Sequence, residues 1–462
     1  MKANNLVLGS KFVWNWMIFS LVMLIITLIL SMSLTEKISY FAFSTNLLYV
    51  VIFGFVIIKT YGISNYHFFT RRRLLFTVAG ISILFLFLHS LLFYWHTDSF
   101  WEFSARDSLE YDILAKNMNH YGIIEGVIKY LANGQDFEDL GAVFFTSLAY
   151  RIYPSPLMFN IFNVLVGVIV VNSIFNISSF YMNRKYAYLT ALTYGLSSYV
   201  IYLYATGMKE TFFVLFVILF YDNLLKFVKN KKSSDLILSL LSAFLIIFFR
   251  PAVLGMMGMG VIGAVIFGKK QGFVSFLIFI IFVLSFIFLS QKVVEIKDRY
   301  YGSPELVSYR AKQYSHIEAN SFTYASSFFS GFFGPLPTYT PIFGRLQQSF
   351  YSVGLGFRVF ISLFFFLGLI QSIKERDFVI MSLGLFAIIE ILSLSIILEV
   401  FELRLDSPHM PALYIVAFYY VTSLKYNSIR KIKRLKKIVF LYSFVFGILI
   451  LLWNLRFLLN FQ

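Results

Sequence analysis

The sequence predicts an all-α fold, a polytopic transmembrane helical bundle of about 13 spans, and three observations support this. Apolar runs of ~20 residues, long enough to cross a bilayer as a helix, recur along the whole chain. Charged residues make up only 13% of the 462 residues, whereas a soluble chain carries about 25%. The apolar runs are too long and uniform for the short alternating strands of a membrane barrel.

The first apolar run, residues 12–34, is too long for a signal-peptide core and lacks a small-residue cleavage site. We therefore interpret it as the first span. The segments on either side of Arg250-Pro251 are short and could form one kinked element, so the count ranges from about 11 to 14. The predicted spans are residues 12–34, 38–58, 74–95, 156–182, 186–206, 211–228, 235–249, 251–268, 272–290, 352–373, 378–399, 408–424 and 438–460.

Lysine and arginine concentrate on alternate loops, and such loops are cytoplasmic in most membrane proteins. The clusters are Arg71 to Arg73, Arg184-Lys185, Lys226 to Lys232, Lys269-Lys270, Lys374 with Arg376, and Lys425 to Lys437. This pattern predicts a cytoplasmic N-terminus and, with 13 spans, an extracytoplasmic C-terminus. Because topology accounts for most of the basic residues, we do not interpret the +16 net charge as a nucleic-acid-binding surface.

Two long loops, residues 96–155 and 291–351, fall on the predicted extracytoplasmic side of a single transmembrane domain, 1–462. Loops of this length inside a compact bundle are usually functional or disordered. Both are rich in Tyr, Phe and Trp, which argues against disorder and predicts short helices at the membrane interface. The absence of cysteine excludes disulfides, iron–sulfur clusters and thiol catalysis, and argues against zinc.

The first loop contains the sharpest constellation of potentially reactive residues. On a helix, Asp107, Tyr111 and Ala115 share one face, and Glu110 lies beside them. Two carboxylates just outside a bilayer can act as a general base or bind a divalent cation such as Mg²⁺ or Mn²⁺. A solvated acidic surface helix is the alternative interpretation, and no cofactor or metal ligand is assigned with certainty.

Charges also occur at the predicted outer ends of other spans. Lys209-Glu210 sits between two spans with almost no loop, where charges are costly unless they are paired or face water. Lys209 could lie near a phosphate, or the two residues could form a structural ion pair. Arg250, before Pro251, could bind phosphate oxygens in a fork geometry or simply extend to the interface.

A further polar group follows the span that contains Glu390. Arg404 could hold an anionic group, with His409 close by, although a solvated turn would also explain this segment. The neighbouring acids are Glu399, Glu402 and Asp406. Glu390 lies deeper, where an acid is either functional or a neutral, hydrogen-bonded residue. On one topology six of the candidates reach the same outer face, which suits group transfer from a lipid-linked phosphate; they are Asp107, Glu110, Lys209, Glu210, Arg250 and Arg404.

Several segments together resemble a known enzyme family. They are Asp107, Tyr111 and Ala115; residues 150–167; Arg184 to Ser198; Met208-Lys209-Glu210; Arg250-Pro251; and Arg404, Pro408 and Pro411. The pattern resembles bacterial GT-C membrane glycosyltransferases, in particular the protein mannosyltransferase and aminoarabinose transferase family. In that family the loop Asp follows the first span, whereas here three predicted spans precede it.

The resemblance implies an enzyme of the bacterial cytoplasmic (inner) membrane that transfers a sugar from a polyprenyl-phosphate donor on the extracytoplasmic face. Asp107 would be the catalytic base, assisted by Glu110. Tyr111, Lys209, Glu210, Arg250, Arg404 and His409 would bind substrate and phosphate. Lys209-Glu210 with the later Arg-Pro pair is also similar to Wzy-type repeat-unit polymerases of capsule and O-antigen pathways. A lipid-linked oligosaccharide flippase or transporter is the third hypothesis, and the sequence leaves sugar, acceptor and oligomeric state open.

Overall fold

The computed structural model describes residues 10–31, 37–101, 107–267, 329–334, 336–339, 346–397, 407–424 and 429–459, and the described regular structure is helical. The helices are α1 (Ser10–Ser31), α2 (Lys37–Gly62), α3 (Arg71–Thr97), α4 (Asp107–Asn119), α5 (Ile123–Ala132), α6 (Leu140–Tyr150), α7 (Pro156–Tyr181), α8 (Arg184–Gly195), α9 (Ser198–Ala205), α10 (Glu210–Asn230), α11 (Ser233–Ile246), α12 (Pro251–Phe267), α13 (Leu346–Glu375), α14 (Phe378–Ile397), α15 (Met410–Ser423) and α16 (Ile429–Leu459). The predicted all-α class is confirmed.

Long apolar helices indicate a membrane protein, but the described part of the chain does not establish 13 spans. Six helical segments there are long and apolar enough to cross a bilayer. They are Phe43–Gly62, Arg71–Thr97, Pro156–Tyr181, Glu210–Asn230, Phe350–Glu375 and Lys431–Asn454. Five apolar segments are shorter: Val13–Ile26, Ser233–Ile246, Pro251–Phe267, Phe378–Leu394 and Met410–Ser423. The predicted span at 272–290 lies outside the described residues.

The predicted span at 186–206 is two helices, α8 and α9, which meet at Leu196 and Ser197. Every residue of both helices from Tyr186 to Ala205 is buried, so these helices form the centre of the bundle and have no lipid-facing side. Gly195, Ser197 and Ser198 stand at the break, but small residues of this kind are also common inside membrane helices, so they did not distinguish two helices from one span. The first residue of α9 links this helix to a distant one. The Ser198 hydroxyl donates to the carbonyl of Tyr351, in α13, at 2.5 Å.

Local sequence signals set the helix ends. Thr70 and Asn183 accept hydrogen bonds from the backbone amides of the first turns of α3 and α8, as N-cap residues do. Pro156 occupies the first position of α7, where its missing N–H has no helical partner to lose. These boundaries fix which residues emerge at each end of the bundle.

The core is built from α7, α8, α9, α10, α13 and α15, packed against one another. Close crossings depend on small residues, as is common between membrane helices. A Cβ on Gly368 would lie 2.1 Å from the carbonyl oxygen of Val416, so α13 and α15 approach at that glycine. Helix α16 lies at the periphery of the bundle, because most of its segment Lys431–Asn454 is not buried against other helices.

The bundle has two chemically different ends. We call one the basic end, because Arg71, Arg184, Lys226 and Lys374 lie there at the ends of α3, α8, α10 and α13. We call the other the loop end, because α4, α5 and α6 lie there between α3 and α7. The described part of the first predicted loop is therefore helical, with α4 packed on α6 and α6 packed on α7.

Candidate functional site

Helix α4 presents the predicted acidic face at the loop end. Asp107 is its first residue and is half-buried, Tyr111 and Ala115 are buried one and two turns later, and Glu110 is exposed. A carboxylate at this position is favoured, because the helix dipole places partial positive charge at the N-terminus. The face therefore combines one partly accessible acid with a buried tyrosine.

Asp139 joins this face to the start of α10. The Tyr111 hydroxyl donates to Asp139 Oδ1 at 2.9 Å, and the Lys209 ammonium donates to the same oxygen and forms an ion pair with it. Lys209 also donates to the carbonyl of Glu138 at 3.1 Å, and its Nζ lies 5.9 Å from the centre of the Tyr111 ring. These contacts hold Lys209 within the protein. Lys209 therefore forms an ion pair, but its partner is Asp139 and not the neighbouring Glu210 considered in the sequence analysis.

The electrostatic environment keeps the Tyr111 hydroxyl protonated. Burial raises the pKa of Tyr111 above its ordinary value, and the negative charges of Asp139, Glu210 and Asp107 raise it further. These acids therefore surround one phenol, which remains a hydrogen-bond donor throughout the physiological range. Burial likewise raises the pKa of Tyr130, with contributions from Asp139, Asp136 and Glu110, so Glu110 lies within electrostatic range of Tyr130 in α5.

Glu210 is the most buried acid of this cluster. It begins α10, is 1% exposed, and its Oε2 makes no hydrogen bond to any described residue. It lines a cavity of about 10 Å³, the space of roughly one water molecule, together with Tyr204 and Ser407. The hydroxyls of Tyr204 and Ser407 likewise have no hydrogen-bond partner among the described residues. The cavity thus connects the loop-end cluster to the segment that precedes α15.

A tight turn places Lys209 and Glu210. Gly207 has a φ of +68°, a left-handed conformation that glycine adopts without steric cost. A Cβ at this position would also lie 2.9 Å from the Trp101 ring. The chain therefore reverses between α9 and α10 directly beneath the aromatic ring of the first loop.

Arg250 approaches from a neighbouring element. Its guanidinium lies 5.2 Å from the centre of the Phe213 ring, and Phe213 follows Lys209 by one helical turn. Arg250 is also within electrostatic range of Glu390. The turn before Arg250 is held against α6, because the Gly141 amide donates to the carbonyl of Phe248 at 3.0 Å. A side chain on Gly141 would clash with the Phe249 ring, which lies 2.5 Å from an added Cβ.

A second polar group lies deeper in the bundle. His409 Nδ1 and Glu390 Oε2 are 3.1 Å apart, and the two residues are 0% and 1% exposed. Arg358, also 1% exposed, lies within electrostatic range of His409 and donates to the carbonyl of Gly331 at 3.1 Å. Burying ionisable groups this completely is expensive, so such groups in a membrane helix bundle are functional candidates.

The structure groups the predicted site residues into two neighbouring sets. Asp107, Glu110, Tyr111, Lys209 and Glu210 belong to the loop-end cluster. Arg250 and His409 both lie beside Glu390, and Ser407 shares the cavity with Glu210. Arg404, with Glu399, Glu402 and Asp406, lies outside the described residues, as does most of the second predicted loop.

Two central residues were missed by the sequence analysis. Asp139 is one of nine acids between Asp98 and Asp139, and only the tertiary packing of α6 beside α4 singles it out. Arg358 lies inside a 30-residue apolar helix, and an arginine in such a helix is itself the signal that could have identified it.

Metal ligation has no additional support in the described residues. No group of three or more His, Asp or Glu residues close enough to hold a metal ion occurs among them. The pair Asp107 and Glu110 is the remaining candidate for a divalent cation, with one member half-buried and one exposed.

Comparison with known proteins finds no match among protein-family models, curated proteins or solved structures.

Proposed function

We propose that this protein is a membrane glycosyltransferase that uses a polyprenyl-phosphate-linked sugar donor at the loop end, on the extracytoplasmic face. The observation that carries the proposal is the convergence of Asp107, Tyr111, Glu210 and the Lys209–Asp139 ion pair at one end of an apolar bundle. A donor whose tail lies in the bilayer would present its phosphate and sugar at this level. The product would be a cell-surface polysaccharide or glycoconjugate.

In the proposed reaction, the Asp107 carboxylate takes the proton of an acceptor hydroxyl, assisted by the exposed Glu110. The acceptor oxygen then forms a bond to the anomeric carbon as the bond from that carbon to the phosphate oxygen breaks. The phosphate leaves with the electron pair, and cations stabilise its growing charge. In the proposal, the positive charges of Arg250 and Arg404 provide this stabilisation.

Lys209 has a different role in this proposal from the one expected from the sequence. Since its ammonium is bonded to Asp139 and to the carbonyl of Glu138, we assign it to positioning Asp139 and Tyr111. Tyr111 and Glu210, both buried in this structure, then support the polar wall of the sugar site from within the protein. His409, which is paired with Glu390 in the deeper group, keeps the phosphate-binding role expected from the sequence.

The test is Asp107→Asn, assayed for polysaccharide product in membranes of a deletion strain that expresses each variant. A general base contributes about 10²- to 10⁴-fold, so transfer should fall by at least about 100-fold while the amount of folded protein is unchanged. Glu125→Gln is the matched control, because Glu125 is an exposed acid of the same loop region paired with Lys129. Full transfer by Asp107→Asn would refute the assignment of the base.

A Wzy-type polymerase that joins lipid-linked repeat units is the second candidate. The observation that favours it is the buried Glu390–His409 pair with Arg250 and Arg358 beside it, which can take a proton and stabilise a pyrophosphate without Asp107. The deletion strain discriminates the two candidates. Retention of single repeats with loss of chain length indicates the polymerase, whereas loss of one sugar indicates the transferase.

A flippase or transporter of lipid-linked oligosaccharides remains the third candidate. The depth of Glu390 and His409 in the bundle also bears on this hypothesis, because transporters use ionisable residues within the membrane. Movement of a labelled lipid-linked oligosaccharide across reconstituted vesicles, with no covalent change, would favour it over both enzymes.

A further inference from the structure

A groove lined by both apolar and polar residues opens at the basic end, far along the helices from the site described above. Its volume is about 670 Å³, and it runs between α7 and α10 beside the start of α3. The lining residues that bear on its ligand are the polar Arg71, Asn172, Asn176, Asp222 and Lys226 and the apolar Ile169 and Phe180. A groove of this size between two candidate membrane spans requires a ligand or water, since hydrocarbon cannot satisfy its polar groups.

Asp222 is the buried polar centre of the groove. It is 2% exposed, and its Oδ2 accepts hydrogen bonds from Asn176 at 3.2 Å and from Lys226 at 3.0 Å. Its Oδ1 is buried and makes no hydrogen bond to a described residue, and the same holds for Asn172 Oδ1. Both atoms are covered by their neighbours, but both residues line the groove, so a rotation of either side chain would bring an oxygen that needs a donor to the groove surface.

The charges of the groove favour a ligand with a single negative charge. Arg71 and Lys226 are cationic and Asp222 is anionic, so these lining residues sum to one positive charge. Guanidinium and ammonium groups bind phosphate oxygens well. The two oxygens without partners then select hydroxyl donors on the same ligand, because an ammonium donor would be repelled by the two neighbouring cations.

The position of the groove indicates that the ligand is a lipid. Asp222 precedes the end of α10 by eight residues, or roughly 12 Å of helix, so the groove reaches from the membrane surface into the apolar region. Ile169 and Phe180 on its wall are 47% and 45% exposed, which provides an apolar surface for acyl chains. The excess of basic residues predicts that this end is cytoplasmic.

We infer that the groove between α7 and α10 binds an anionic, hydroxyl-bearing phospholipid headgroup of the phosphatidylglycerol class from the adjacent leaflet. The phosphodiester lies between Arg71 and Lys226, and the headgroup hydroxyls donate to Asp222 Oδ1 and Asn172 Oδ1 after those side chains rotate toward the groove. Basic pockets between transmembrane helices on this side of a membrane are known sites for anionic lipids.

The experiment measures displacement of fluorescent phosphatidylglycerol from the purified protein in detergent. Phosphatidylmethanol has the same charge but no hydroxyl, so it should require an about tenfold higher concentration than phosphatidylglycerol to displace the probe. Phosphatidylethanolamine should displace the probe more weakly still. Free glycerol 3-phosphate should not displace the probe at comparable concentrations, since it lacks the acyl chains. Equal potency of phosphatidylmethanol and phosphatidylglycerol would overturn the hydroxyl assignment, and displacement by glycerol 3-phosphate would overturn the lipid source.

Variants test the position of the ligand. Arg71→Gln with Lys226→Gln should weaken phosphatidylglycerol binding by at least about tenfold. The matched control, Arg72→Gln with Lys229→Gln, removes the same charges from the same helices outside the groove lining and should bind normally. Asn172→Leu should retain binding but lose the preference for phosphatidylglycerol over phosphatidylmethanol. Equal loss in the control pair would overturn the site. If the Lys226 variant does not fold, the preference of the unmodified protein for phosphatidylglycerol over phosphatidylmethanol still tests the proposal.

Discussion

Two buried histidines lie in regions of opposite character. His409 precedes α15 and hydrogen-bonds to Glu390, with Arg358 in electrostatic range. His89, in α3, is 2% exposed, and within the described residues neither of its ring nitrogens makes a hydrogen bond. Its ring instead packs among Phe85, Phe93, Tyr202 and Phe350, with ring centres 5.5 to 6.4 Å away.

The comparison separates burial from chemical role. Both histidines are shielded from water, but only His409 has an acid that can exchange a proton with it and a cation beside it. An imidazole packed among aromatic rings behaves as a planar apolar group with two unsatisfied polar atoms, which cost free energy. Replacements of equal size at the two positions should therefore change stability in opposite directions.

The largest expected effect is at His409. His409→Leu removes the hydrogen-bond partner of the buried Glu390, which should lower the free energy of unfolding by about 2 kcal/mol. It should also eliminate product formation, because His409 takes part in the proposed reaction. His409→Asn keeps a donor near the Nδ1 position and should recover most of the stability. Thermal unfolding in detergent measures both variants, and identical melting temperatures for Leu and Asn would show that the pair does not stabilise the fold.

The next effect has the opposite sign. His89→Phe should raise the free energy of unfolding by about 1 kcal/mol, because it removes two unsatisfied polar atoms and retains the aromatic packing. Product formation should be unchanged. A lower melting temperature or a loss of product would mean that His89 has a polar role like that of His409, and the contrast between the regions would fail.

The loop-end cluster provides an intermediate case, a polar contact that is only partly buried. The Lys209 and Asp139 side chains are 10% and 29% exposed. A double-mutant cycle with Lys209→Met and Asp139→Asn should give a coupling energy of about 1 kcal/mol, measured from the melting transitions of the four proteins. Additive effects would show that the ion pair does not hold α10 to the first loop.

The smallest effect is expected for Tyr111→Phe. Loss of the 2.9 Å hydrogen bond to Asp139 should cost about 0.5 kcal/mol, the lower end of the range for a hydrogen bond, because Asp139 is partly exposed and keeps its ion pair with Lys209. Since burial and three acids raise the pKa of Tyr111, the hydroxyl stays protonated and the loss should be the same at about pH 6 and pH 9. A cost that disappears at the higher pH would show that the phenol ionises, contrary to this environment.

Much of the helical architecture could be predicted from the sequence, because apolar runs and punctuating residues carry the information locally. The predicted span 156–182 corresponds to α7 (Pro156–Tyr181), and 211–228 corresponds to α10 (Glu210–Asn230). The break between α8 and α9 was missed although Gly195, Ser197 and Ser198 mark it, because small residues are also common inside continuous membrane helices.

The candidate site was less accessible to sequence analysis, because its partners are distant along the chain. Asp107 and Tyr111 could be named from their spacing on one face of a helix, and Lys209 from its position between two apolar runs. The choice of Asp139 as the partner of Lys209, 70 residues away, depends on how α6 docks beside α4. Glu390 and His409 were considered separately, and only the packing of the deeper group brings them within 3.1 Å.

The docking of Gly141 on the turn before Arg250 restricts how a substrate could reach this region. The amide of one segment is bonded to the carbonyl of the other, and the absence of a side chain lets the Phe249 ring lie against the glycine. A backbone hydrogen bond and a ring contact therefore hold the turn before α12 against α6. We expect a lipid-linked molecule in the proposed reaction to enter along another side of the bundle, so cross-linking α6 to this turn should leave product formation unchanged.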